Sequence, residues 1–137
     1  MNAEQRREDA ARRAEMAAAG ARAEAAAAQR QIDAFVAELS RRGIAPEPLS
    51  ACLLNGTRAK CDRVGWYVNA ARTIAIGPQG EYYQLTVPGR ALARFRGVSV
   101  PVAQPSLVVA RGGRDGESGD LSDFLARALE RYSAGTG

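Results

Sequence analysis

The sequence predicts an α+β fold: a long N-terminal helix, an antiparallel sheet of three to four strands, and an amphipathic C-terminal helix packed on one sheet face. Three observations carry this. Residues 2–42 contain no proline and consist mostly of strong helix formers. From Val64 the apolar period changes from helical to two. From Leu121, the residues Leu121, Phe124, Leu125, Ala128, Leu129 and Tyr132 return to a helical stripe.

The first helix is expected from Asn2 to about Arg42, with Glu8/Arg12, Asp9/Arg13 and Glu38/Arg42 placed one turn apart. Gly43 and the following "APEP" end it. Ala11, Ala14, Ala18, Ala21, Ala25, Ala28, Ile32, Phe35 and Leu39 alternate at spacings of three and four, the period of a coiled-coil seam. Alanine fills twelve of the nineteen positions from Ala10 to Ala28, so that period also arises from composition, and each alanine buries only about 0.8 kcal/mol of methyl. Ile32, Phe35 and Leu39 are the apolar residues expected to drive self-association. Residues 1–42 are therefore read as an Ala/Arg/Glu-rich helical segment and residues 43–137 as a small α+β domain.

After a connection with a short helix expected at "LSACLL" and a turn at Asn55-Gly56, three strands follow. Their alternating residues are Val64, Trp66 and Val68, then Ile74 and Ile76, then Tyr83, Leu85 and Val87. "NAAR" and "GPQG" are of hairpin length, which makes a meander the economical topology. The expected core face holds Trp66, Ile74, Ile76, Tyr83 and Leu85, leaving Tyr67 and Tyr82 outward. "VPGRALARFRGV" reads as a short amphipathic turn and "SLVVA" as a fourth strand. Asp120 is the expected N-cap of the last helix, with Asp123 in its first turn.

Composition narrows the chemistry. The 137 residues, 46% hydrophobic, suit one core-forming domain. Histidine is absent, so the usual base of hydrolases and the commonest metal ligand are missing. The net charge is +4, and from Arg58 to Arg96 seven basic residues face only Asp62 and Glu81, while Asp115 to Asp123 holds four acids and no base. Cys52 and Cys61 match no redox or zinc spacing and read as small reduced hydrophobes. No apolar stretch makes a signal peptide or a membrane span, so a cytoplasmic, non-membrane protein is expected.

The loop "RGGRDGESGD" before the last helix invites three chemical readings, and each is weak. Ser118 has no histidine to activate it, and Asp120 stands where a G-x-S-x-G elbow needs glycine. Gly113, Gly116 and Gly119 fit no phosphate-loop spacing, and Asp120 and Asp123 already place negative charge at the helix start. Asp115, Glu117, Asp120 and Asp123 lack the spacing of a calcium loop. No catalytic residue, metal site or cofactor is assigned.

The basic, aromatic middle is more suggestive. Outward Tyr67 and Tyr82 beside Arg72, Arg90, Arg94 and Arg96 are the residue types that hold single-stranded nucleic acid by stacking and backbone contact. The first functional expectation is a small non-enzymatic interaction protein whose N-terminal helix mediates homo-oligomerisation or partner docking. The alternative is an accessory or regulatory protein that binds nucleic acid through the basic sheet region. The third is a histidine-independent nuclease or toxin-like enzyme.

Overall fold

A computed structural model describes residues 2–88, 97–109 and 118–135. Helix α1 (Ala3–Arg41) starts with a capping box: the Gln5 N–H donates to Asn2 Oδ1 at 2.8 Å, and the Asn2 N–H donates to Gln5 Oε1 at 3.2 Å. It ends in a Schellman motif. Gly43, at φ +71°, donates to the Ser40 carbonyl, and Ile44 donates to the Leu39 carbonyl while its side chain joins Leu39 in the core.

Strands β1 (Glu47–Leu53), β2 (Arg58–Tyr67), β3 (Ile74–Ile76), β4 (Tyr82–Gln84) and β5 (Thr86–Val87) form a mixed sheet in the order β4-β3-β2-β1-β5. The expected meander is β2-β3-β4. Strand β1 replaces the short helix expected at "LSACLL", because Leu49, Ala51 and Leu53 alternate inward and Asn55-Gly56 closes a β1–β2 hairpin. In that turn Gly56 takes φ +88° and the Thr57 N–H donates to Asn55 Oδ1.

One residue joins the two edges of this sheet. Leu85, between β4 and β5, donates to the Thr73 carbonyl and accepts from the Cys52 N–H, so hydrogen bonding continues around a rolled sheet. Rolling gives the sheet two apolar faces. The outer one carries Trp66, Val68, Ile74, Ile76 and Tyr82 beneath the helices. The inner one carries Leu49, Ala51, Tyr67, Ala75, Tyr83 and Leu85 with Val100.

The expected single core face is thereby corrected. Pairing of Ile76 with Tyr82 and of Ala75 with Tyr83 puts Tyr82 beside Ile76, and sends Tyr83 and Leu85 to the opposite side. Strands β6 (Val108–Val109) and β7 (Gly119–Asp120) pair in a separate two-stranded sheet, so "SLVVA" contributes a strand but not one of the main sheet. Helix α2 (Leu121–Gly135) buries Leu121, Phe124, Leu125 and Ala128.

Helix α1 packs only along its last third. Ala28, Ile32, Phe35 and Leu39 are buried against the outer face, with the Phe35 ring edge-on to Trp66 at 6.4 Å. The Gln29 amide donates to the Gly80 carbonyl at 2.8 Å, fastening the helix to the β3–β4 turn. From Ala3 to Glu24 every residue except Asp9 is exposed, a run of ~33 Å at ~1.5 Å per residue. Ile32, Phe35 and Leu39 thus belong to the chain's own core with Ala28, and only the part of the seam from Ala11 to Ala21 lies open. Among the described residues, no helix is long and apolar enough to cross a membrane.

Candidate functional site

The best-defined polar constellation lies where β2 passes into β3. Asn69 is 2% exposed, and its side chain organises the connecting loop. Its Oδ1 accepts from the Thr73 and Ile74 N–H groups, and its Nδ2 donates to Thr73 Oγ1 at 2.7 Å. The Arg72 N–H returns to the Asn69 carbonyl, leaving Arg72 at φ +60°. A non-glycine residue in that region carries strain and persists only where its surroundings over-determine it.

Two arginines brace the loop. Arg58 Nη2 donates to the Arg72 carbonyl at 3.0 Å and to the Ser50 carbonyl at 2.7 Å, while its Nε donates to Ser50 Oγ at 2.8 Å. Arg131, from α2, donates to the Val68 carbonyl at 3.0 Å. The Arg72 guanidinium sits 5.2 Å from the centre of the Tyr67 ring, whose hydroxyl accepts from the Ser50 N–H at 2.9 Å. The β1–β2 register pairs Ser50 with Lys60 and Cys52 with Arg58, which places Ser50, Arg58 and Lys60 on one sheet face.

Tyr132 closes the far side of β2. Its hydroxyl accepts from the Tyr67 N–H and donates to Glu47 Oε2, each at 2.7 Å. Burial first, and the Glu47 carboxylate second, push the Tyr132 hydroxyl far above the ordinary tyrosine range. A second tyrosine–arginine pair lies further along the inner face, where Arg63 covers the Tyr83 ring at 5.1 Å and donates to the Val100 carbonyl. Desolvation raises the Cys61 thiol, and both cysteines are free.

The outward placement expected for Tyr67 and Tyr82 does not hold. Tyr67 is 7% exposed on the inner face and Tyr82 is 3% exposed under the helices, so neither ring offers a surface to a base. Tyr67 and Arg72 do meet. Tyr82 is on the other side of the sheet, and Arg90, Arg94 and Arg96 lie outside the described residues, as do Arg111, Arg114, Asp115 and Glu117 of the opening to the last helix. Reading the residues missed Ser50 and Arg58. The signal was available in "LNGT", since an Asn-Gly hairpin puts the residues beside it in cross-strand register.

Chemically, the corner offers the Arg58 and Arg72 guanidinium groups with the Ser50 and Tyr67 hydroxyls. Among the described residues, no group of three or more Cys, Asp and Glu side chains is arranged to hold a metal ion. The strain at Arg72 gives a direct check on the loop. Glycine tolerates φ +60° and forfeits only the ring contact, roughly 0.5–1 kcal/mol, whereas a β-branched residue adds to a strain of about 1–3 kcal/mol. In thermal melts, Arg72→Gly is expected to stay within a few degrees of wild type, with Arg72→Val clearly below both. Equal melting of the two variants would show that the loop is free to rearrange.

No protein-family model matches the chain, and no curated protein or solved structure matches it significantly.

Proposed function

We propose that the chain is a non-enzymatic interaction protein, with the first two-thirds of α1 as its docking arm and a second copy as the occupant that the alanine seam suits. One observation supports this above the others: full burial of α1 begins at Ala28 and Ala25 is half-buried, while the same stripe runs on through Ala21, Ala18, Ala14 and Ala11, all exposed. In proteins most helical stability comes from tertiary packing of a helix face, which a partner would supply here. Alanine along a seam lets two helix axes approach closely. From Met1 to Glu24 five basic residues balance five acidic ones, so two copies do not repel.

The expected association is weak. The four exposed seam alanines on each of two helices contribute at most ~0.8 kcal/mol apiece, against an association cost on the order of 4–15 kcal/mol. Light scattering over a wide concentration range tests it, comparing the full chain with one lacking residues 2–24. The cut stops there because Ile32, Phe35 and Leu39 are core residues. Mass that rises with concentration for the full chain, and stays monomeric for the shortened one, is the expected result. The shortened chain should keep its stability within ~0.5 kcal/mol, as for other changes at exposed sites. Monomeric mass for both at every concentration counts against the docking arm.

A further inference from the structure

We infer that two copies pair through their α1 arms in antiparallel orientation, each with Ala11 against the partner's Ala21 and Ala14 against the partner's Ala18. This rests on the docking-arm reading and adds to it the orientation, the register and the charges that select the partner. Alanine spacing alone selects no orientation. The first selecting observation is where the body sits. Helix α1 is unbroken from Ala3 to Arg41, and the chain's own core covers its stripe at Ala28, Ile32, Phe35 and Leu39. A parallel partner in register has to bring its residues 28–39 and its own body to that same covered stripe, so the two bodies collide. An antiparallel partner carries its body to the other end. With the stretch from Ala11 to Ala21 paired about its midpoint, the partner's Ala3 falls about level with Ala28, so its helix stops where the body begins.

The second observation is charge along the seam. Glu8, Glu15 and Arg22 follow one another at intervals of seven, so they line one flank of the stripe, while Ala10, Ala17 and Glu24 line the other. Antiparallel helices bring each flank against its own kind. Glu8 then meets the partner's Arg22, and two-fold symmetry makes that contact twice. A parallel pair instead sets Arg22 against the partner's Ala17 and Glu15 against the partner's Ala10, with no ion pair. The chain itself does not answer Arg22. The residues three and four positions away on either side are all alanines, so no acid of its own helix lies within a turn on that face, whereas Glu8 shares Arg12 with Asp9. Among the described residues no ion pair takes up Glu8 or Arg22. The register also sets Glu15 against the partner's Glu15 beside the two-fold axis, one repulsive contact against two attractive ones.

Crosslinking and charge exchange test this on the full chain. Copies carrying Ala11→Cys are mixed with copies carrying Ala21→Cys under mild oxidation, and peptide mapping reads which residues are joined. The expected product joins position 11 to position 21, because equal positions lie ~15 Å apart in the antiparallel pair and no disulfide spans that distance. Arg22→Glu turns both attractive contacts into repulsive ones. It is expected to weaken association about tenfold at low salt, and Glu8→Arg/Arg22→Glu to restore it. Glu15→Gln should tighten association about twofold. All of these sites are exposed, and circular dichroism checks that the fold is kept. Products that join 11 to 11 and 21 to 21, or a double variant as weak as Arg22→Glu, overturn the antiparallel pairing and leave the docking arm standing. No rise in mass and no crosslink at any concentration overturns both.

Discussion

Gly65→Ala is expected to melt about 12–24 °C below wild type. A Cβ at Gly65 would lie 2.1 Å from the Ile76 carbonyl oxygen, 2.9 Å from its carbon and 3.2 Å from Gly77 Cα, all of them backbone atoms. They cannot swing away as a side-chain tip would, because Trp66 and Tyr67 pair with Ile76 and Ala75 immediately beside the clash. Overpacking costs typically 1–3 kcal/mol and sometimes more. With the obstacle built into the sheet, ~3 kcal/mol is the reasonable figure, and each kcal/mol shifts the midpoint by roughly 4–8 °C in a body of this size. The position has a topological reason. Around Lys60 and Asp62 the free edge of β2 bonds to Val98, whereas at Trp66 and Tyr67 it bonds to β3, so Gly65 sits where β2 changes partners. Circular dichroism gives the midpoint, and fluorescence of the neighbouring Trp66, the only tryptophan, reports the same event. Gly20→Ala is the control, since it lies in the exposed helix and, beyond its neighbours and the helix's own nearby backbone, nothing comes within 4 Å of its added carbon. A Gly65→Ala midpoint equal to that of the control removes the close approach from the account of the sheet.

Trp66→Ala should cost about 3–5 kcal/mol, the range for deleting a buried aromatic ring. Trp66 is 2% exposed, meets the Phe35 ring at an interplanar angle of 88°, and donates its indole N–H to the Ala45 carbonyl at 3.2 Å. It therefore ties together the sheet, the packed end of α1 and the chain leaving that helix. Truncation empties this contact and leaves the Ala45 carbonyl without its indole donor. Calorimetry supplies the loss, and amide exchange supplies its location. Ala28, Ile32, Phe35 and Leu39 are expected to lose protection first, because they pack on the face that Trp66 builds. Trp66→Phe, which keeps most of the bulk, should fall between wild type and Trp66→Ala. A loss below ~1 kcal/mol for Trp66→Ala would mean that α1 is held by its other contacts.

The interior of the chain explains which parts could be read in advance. The two helices, the meander and the stop at Gly43 were legible, because propensity, apolar period and a glycine at positive φ are local properties. The face of each strand was not. A sheet with one buried side shows which residues point inward, but this sheet is rolled, and both Tyr82 and Tyr83 are buried, on opposite sides. Alternation then carries no information about which side is which. The candidate corner was half legible: Tyr67 and Arg72 stood out as an aromatic and a charge near a turn. Ser50 and Arg58 join them only through tertiary contacts, the Ser50 N–H donating to the Tyr67 hydroxyl and Arg58 to the Arg72 carbonyl.

The sequence alone determined the α+β class, the position of α1 and its end, the absence of histidine, and an excess of basic residues over acids between Arg58 and Arg96. These follow from residue type and short-range spacing. The tertiary structure alone decided that Ile32, Phe35 and Leu39 serve the chain's own core, that the Tyr67 and Tyr82 rings are covered, and that Arg58 reaches the Arg72 carbonyl. Those outcomes depend on strand register and on closure of the sheet at Leu85, where one residue bonds to Thr73 on one side and Cys52 on the other. Pairings between residues so far apart in the chain leave no local signature.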